Sequence, residues 1–214
     1  MAQTTSAARA AILDRIRTAN RSVDAATCRD EYKVLPREYQ QSAGVGRAAI
    51  LEMFAERLRE YDAQVHEATS FNLRDRIAEA LDAHKQKSAV VANGFPQQWL
   101  PEGLICQAEA DVSMEALNSA EGVIVTCEVA IAHTGTIVLK DSRKATLLPD
   151  RLLCVVREDQ VVETVPEAIA RLQPLAVDAL TFISGPSATA DIEMTRIRGV
   201  HGPRFLDVVL VLKG

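Results

Sequence analysis

Apolar residues in the first third of the chain recur at helical spacing. Ala8, Ile12, Leu13 and Ile16 form one stripe, Ile50, Leu51, Phe54, Leu58 and Tyr61 a second, and Leu73, Ile77 and Leu81 a third. Residues 22–46, between the first two stripes, keep no period and read as a long irregular connection that includes Lys33-Val34-Leu35-Pro36-Arg37-Glu38-Tyr39. At Ser88 the pattern changes to short runs rich in Val and Ile, at 89–92, 104–106, 123–126, 136–139, 152–156, 161–162, 180–183 and 208–212. Continuous rather than alternating runs predict strands buried on both faces. Helix signals stand between them. Thr164-Val165-Pro166-Glu167 has capping-box spacing with Ile169 and Leu172 following on one face, and Ser113 caps a short helix through Met114 and Leu117. Strands alternating with helices predict an α/β sheet covered on both faces. The short gap at 157–160 suits a hairpin, so a mixed sheet is expected. The predicted organisation is an N-terminal helix and irregular arm over 1–45 and a single α/β domain over 46–214.

Composition narrows the functions. At 214 residues the chain holds one to two domains, with ample length for a core. Its net charge of −5 and 4% aromatic content argue against bulk electrostatic binding of nucleic acid and against base-stacking platforms. No apolar run reaches the length of a membrane span, and the first residues lack a signal-peptide stretch, so a cytoplasmic protein is expected. Cys28, Cys106, Cys127 and Cys154 are scattered with no Cys-x-x-Cys pair, and the histidines at 66, 84, 133 and 201 lack metal-site spacing. No metal site or iron–sulfur cluster is expected in this chain.

Ligands of open α/β sheets bind where strands end, so the segments after strands are the candidates. After 180–183 comes Ser184-Gly185-Pro186-Ser187-Ala188-Thr189-Ala190-Asp191-Ile192-Glu193. A sharp Gly-Pro turn opening a short helix would present hydroxyls and N–H groups to a phosphate or carboxylate; the plain alternative is a turn with an N-cap serine. Arg196-Ile197-Arg198-Gly199-Val200-His201-Gly202-Pro203-Arg204 adds arginines that grip anions through paired hydrogen bonds, or that merely pair with Asp191, Glu193 or Asp207. After 123–126, Glu128 stands where a carboxylate faces a cleft, and His133-Thr134-Gly135-Thr136 brings a titratable ring and two hydroxyls around a flexible backbone. Here the alternative is a turn entering a strand and a solvated Glu128. The candidate catalytic residues are Glu128, Asp191 and His201. The candidate anion-binding residues are Thr134, Gly135, Thr136, Gly185, Ser187, Thr189 and Arg204.

Three familiar motifs fail. Gly44-Val45-Gly46 with Ala49 mimics a dinucleotide fingerprint, but no strand is predicted before it. Neither a P-loop nor a G-x-S-x-G elbow is present.

Four strings in order, Ala130 to Leu139, Leu147-Leu148-Pro149, Ser184 to Glu193 and Gly199 to Arg204, resemble the lactate utilization protein C family of the LUD (lactate-utilization) domain group. The likeness runs over roughly 88–214, and more weakly through the leading helix and Leu35 to Tyr39. The resemblance implies a three-layer α/β/α fold with a mostly parallel or mixed sheet, NagB/RpiA/CoA-transferase-like. It also implies a role in oxidising L-lactate to pyruvate with two iron–sulfur partner proteins, which would carry the clusters this chain lacks. Members commonly have Glu where His133 stands here. The resulting expectation is an accessory component that binds a small anion such as lactate or pyruvate. The alternatives are an acyl- or CoA-transferase-like enzyme using Glu128, by analogy of fold alone, and a purely structural subunit that assembles the iron–sulfur partners.

Overall fold

The structure, a computed structural model, describes residues 2–19, 25–42, 44–140, 143–175, 178–190, 196–199 and 202–213. The chain divides into two compact units, Met1–Tyr39 and Gln40–Gly214.

The first unit holds α1 (Ala2–Ala19) and α2 (Ala25–Val34). The second helix lies in the stretch whose lack of period predicted an irregular connection. Its residues are mostly small or charged, so no apolar stripe announces it. Its end is closed instead by Arg37, whose guanidinium donates to the carbonyls of Tyr32 (2.9 Å) and Leu35 (3.2 Å) and lies 4.7 Å above the Tyr32 ring. Those carbonyls would otherwise be orphaned at a helix terminus. Ile12, Leu13 and Ile16 of α1 are exposed.

The second unit runs α3 (Arg47–Glu60), β1 (Gln64–Thr69), α4 (Leu73–Ala83), β2 (Ser88–Val91), β3 (Ile105–Ala108), α5 (Met114–Asn118), β4 (Val123–Thr126), β5 (Val129–Ile131), β6 (Thr136–Lys140), α6 (Arg143–Leu147), β7 (Arg151–Arg157), β8 (Val161–Val162), α7 (Val165–Leu172), β9 (Leu180–Ile183), β10 (Ala188–Ala190), β11 (Arg196–Arg198) and β12 (Phe205–Leu212). Among the described residues, β1, β12, β7, β4, β2 and β3 form, in that order, a sheet whose neighbours are all parallel. Alternate residues serve opposite faces. Val90, Val125, Cys154 and Val208 meet Ile50, Phe54 and Leu58 of α3, while Val91, Ile124, Val155 and Val209 meet Leu73, Ile77 and Leu81 of α4. Helices thus cover both faces of this α/β sheet, and the continuous apolar runs follow from that double burial.

A second sheet has the order β8, β5, β6, β9. One of its faces joins the α3 core through Ala130, Ile137, Leu139 and Val161, and the other is covered by α7 through Ala168 and Leu172. The expected hairpin across 157–160 is not formed. That gap is a 3-10 turn that carries the chain from β7 in the first sheet to β8 in the second, where β8 pairs parallel with β5. Both capping expectations are met. Ser113 accepts from the Ala116 N–H (3.2 Å), and Thr164 and Glu167 exchange the reciprocal bonds of a capping box. Among the described residues no helix is long and apolar enough to cross a membrane.

Candidate functional site

Two loops flagged from the sequence converge on the last turn of α3. Gly135, between β5 and β6, has φ +56°, and a Cβ there would lie 2.9 Å from Arg57 Cβ. Gly185, after β9, has φ +82°, and a Cβ there would overlap Tyr61 Cβ and lie 3.1 Å from its Cγ. Glycine alone tolerates both the left-handed backbone and the close approach. The result is contact between residues far apart in the chain. Thr136 Oγ1 lies 2.6 Å from Thr134 Oγ1 and 2.7 Å from Ser184 Oγ, so three hydroxyls form one hydrogen-bonded chain.

Ser184 opens into a cavity of about 280 Å3. Its polar lining includes Thr146, Thr181, Ser184 and Ser187, and its apolar walls include Leu147, Leu152, Phe182 and Leu206. Gly185, Gly202 and Pro203 also line it. The Ser187 N–H donates to the Pro203 carbonyl (2.8 Å), and the Gly199 N–H donates to the Ser187 carbonyl (2.9 Å). Thr146, whose hydroxyl donates to the Arg143 carbonyl (3.2 Å), is fully buried.

Behind Thr134, a second polar centre is built at the carboxyl ends of the parallel neighbours β5 and β8. Glu163, buried after β8, accepts from the N–H groups of Gly44 (2.6 Å) and Val45 (3.2 Å) and from the Gln40 amide (3.1 Å). His133 Nε2 is 3.3 Å away. Burial pushes the Glu163 carboxyl pKa up. The three donors and His133 together outweigh that and hold it below its ordinary 4.5. The Gly44-Val45-Gly46 stretch, which fails as a dinucleotide fingerprint, therefore cradles the protein's own carboxylate.

The expected residues divide as follows. Thr134, Gly135, Thr136, Gly185 and Ser187 are brought together at or behind the cavity. Thr189 lies on β10, whose pairing with β11 replaces the short helix expected after the Gly-Pro turn. Asp191 and His201 lie outside the described residues. Arg204 is not among the cavity's lining residues; its guanidinium makes a two-pronged pair with Asp150, which raises its pKa. Glu128 is exposed between β4 and β5, away from the cavity lining, with its N–H bonded to the Val138 carbonyl (2.8 Å). Among the described residues Asp207 is paired with histidines. It is buried and meets His66 Nε2 (2.8 Å) and His84 Nε2 (3.1 Å). Sequence reasoning missed Ser184, Thr146 and Glu163 as site residues. Only Ser184 and Glu163 carried a local signal, each a polar residue directly after an apolar run.

The chain resembles known proteins over most of its length. The family model described as "LUD domain" matches residues 1–211. A protein of Deinococcus radiodurans called "Lactate utilization protein C" is 38% identical over 207 residues, 93% of this chain and 94% of that one. Proteins of the same name from Anoxybacillus flavithermus and Bacillus subtilis are 26% identical over 75% of this chain and 79% of theirs, and 31% identical over 54% of each. The crystal structure of a DUF162 family protein from Deinococcus radiodurans superposes with a TM-score of 0.67 at 34% identity, covering 78% of this chain and 99% of that one.

Proposed function

Since the chain belongs to the LUD domain family, we propose that it acts in lactate utilization by holding a small carboxylate, lactate or pyruvate, in the cavity beside Ser184. The observation that carries this reading is the hydroxyl chain from Thr134 through Thr136 to Ser184, which ends at the cavity. Each hydroxyl donates one hydrogen bond and accepts others, so the chain can run in either direction. A carboxylate at Ser184 draws the protons toward the cavity, and a ligand hydroxyl reverses them. Lactate presents a carboxylate, a hydroxyl and a methyl group, and the cavity offers hydroxyls together with the apolar side chains of Leu147, Leu152, Phe182 and Leu206. Pockets for drug-sized ligands span about 300–1,000 Å3, so a cavity of about 280 Å3 suits a small metabolite. With Arg204 engaged by Asp150, the donors that line the cavity among the described residues are neutral. Iron–sulfur centres for lactate oxidation are assigned, on this reading, to two partner proteins.

Titration calorimetry with lactate, pyruvate and coenzyme A tests the reading. Lactate or pyruvate is expected to bind, and Ser184→Ala and Thr136→Val each to weaken binding by about tenfold, the loss of one hydrogen bond worth about 1–1.5 kcal/mol. Thr136→Ser retains the hydroxyl and the affinity. Failure of both acids to bind, or affinity unchanged from the parent in the two hydroxyl-less variants, overturns it.

A further inference from the structure

The two edges of the six-stranded sheet are finished differently. Over β1 lies a groove lined by Arg59, Glu67 and Arg76, whose charges keep another strand from adding there. Strand β3, at the other edge, reads Ile-Cys-Gln-Ala and carries no charge and no proline. All four of its residues are exposed, Ile105 by 65%. Grooves flank it on both faces, one running past Leu104 with Asp82, Lys87 and Glu102 in its lining and the other past Ala116 and Ala120 with Glu121, and Ile105 lines both.

The direction of its unpaired backbone groups follows from the inner ladder. The Ile105 N–H donates to the Lys87 carbonyl (3.1 Å), so Ile105 and Gln107 bond inward to β2. In a parallel ladder the N–H and C=O of alternate residues face opposite sides. Leu104, Cys106 and Ala108 therefore turn theirs outward.

We propose that β3 is an interface between two copies of this chain, paired antiparallel about a twofold axis through Cys106. An uncharged strand meets itself without like-charge repulsion, and a twofold pairing closes the edge of both copies at once. A twofold perpendicular to the sheet keeps each side chain on its own face, so paired residues must share a face. Centred on Cys106, this places Ile105 opposite Gln107 of the second copy. Cys106 then exchanges both of its backbone bonds with Cys106 of the second copy, and Leu104 and Ala108 exchange theirs. Every outward group of the strand is satisfied. Centring the axis on Gln107 instead leaves Leu104 unpaired.

Light scattering on the full chain reads the oligomeric state. A dimer is expected, and Cys106→Lys, which sets two ammonium groups against each other on the axis, is expected to give folded monomers with the far-UV circular dichroism of the parent. Cys28→Lys, an exposed site in the first unit, stays dimeric. Mild oxidation of Cys28→Ser protein is expected to cross-link pairs of chains, and adding Cys106→Ser removes the cross-link without dissociating the dimer. A monomeric parent or a dimeric Cys106→Lys protein overturns the proposal.

Discussion

Replacing Gly185 with alanine tests whether the end of α3 sets the position of Ser184. Two costs add. A residue with a Cβ at φ +82° is left-handed, which costs about 1–2 kcal/mol. The new methyl also overlaps Tyr61 Cβ and lies 3.2 Å from the Tyr61 carbonyl oxygen. Neither atom is the end of a flexible side chain, so the backbone has to move, and such overpacking costs about 1–3 kcal/mol. The sum is about 2–5 kcal/mol. Gly94 isolates the first cost, because its φ is +79° and a Cβ there meets nothing within 4 Å. Gly94→Ala should therefore cost only about 1–2 kcal/mol. Urea unfolding followed by far-UV circular dichroism compares the two, and thermal melting should separate them by several degrees, at about 2–4 °C per kcal/mol for a chain of this size. Adding Tyr61→Gly to Gly185→Ala removes the overlapping Cβ and should recover the steric part. Equal destabilisation by the two alanines, or no recovery in the double variant, would show that the packing of the β9 loop on α3 does not hold Ser184.

Other expectations concern the neighbouring groups. Because Glu163 is held below its ordinary pKa, its stabilising contacts are complete above about pH 4.5 and fade as pH falls through the lowered value. The protection factors of the Gly44 and Val45 amides in hydrogen exchange should fall over that acid range in the parent and be low at neutral pH in Glu163→Ala; protection unchanged in the variant would refute the anchor. Phe54, fully buried where α3 meets both sheets, should cost about 3–5 kcal/mol on replacement by alanine, read from chemical denaturation; a loss under 1 kcal/mol would contradict its placement. Arg204→Ala should leave lactate and pyruvate affinity unchanged in calorimetry, since its charge is directed at Asp150, and a large loss would return it to the site.

Periodicity and local chemistry alone determined much of this protein. The stripes through Ile50 and Leu73 became α3 and α4, the valine-rich runs became strands, and Ser113 and Thr164 capped the helices they were expected to cap. These features depend on residues within a turn or two of each other, and there sequence spacing is spatial spacing. What failed locally had weak local signals. The strand β1 has few apolar residues because it is an edge, and α2 is helical without an apolar stripe. The loops that bear hydroxyls were also legible, but their meeting was not. Thr136 and Ser184 lie 48 positions apart, and only the assembled sheets bring them to one cavity. The same holds for β8 leaving the strand before it to join another sheet, for Arg204 choosing Asp150, and for Asp207 facing two histidines. A side chain's type states what it can bind, while its partner depends on which distant strand arrives beside it, and that is decided by burying all the apolar faces of the fold at once.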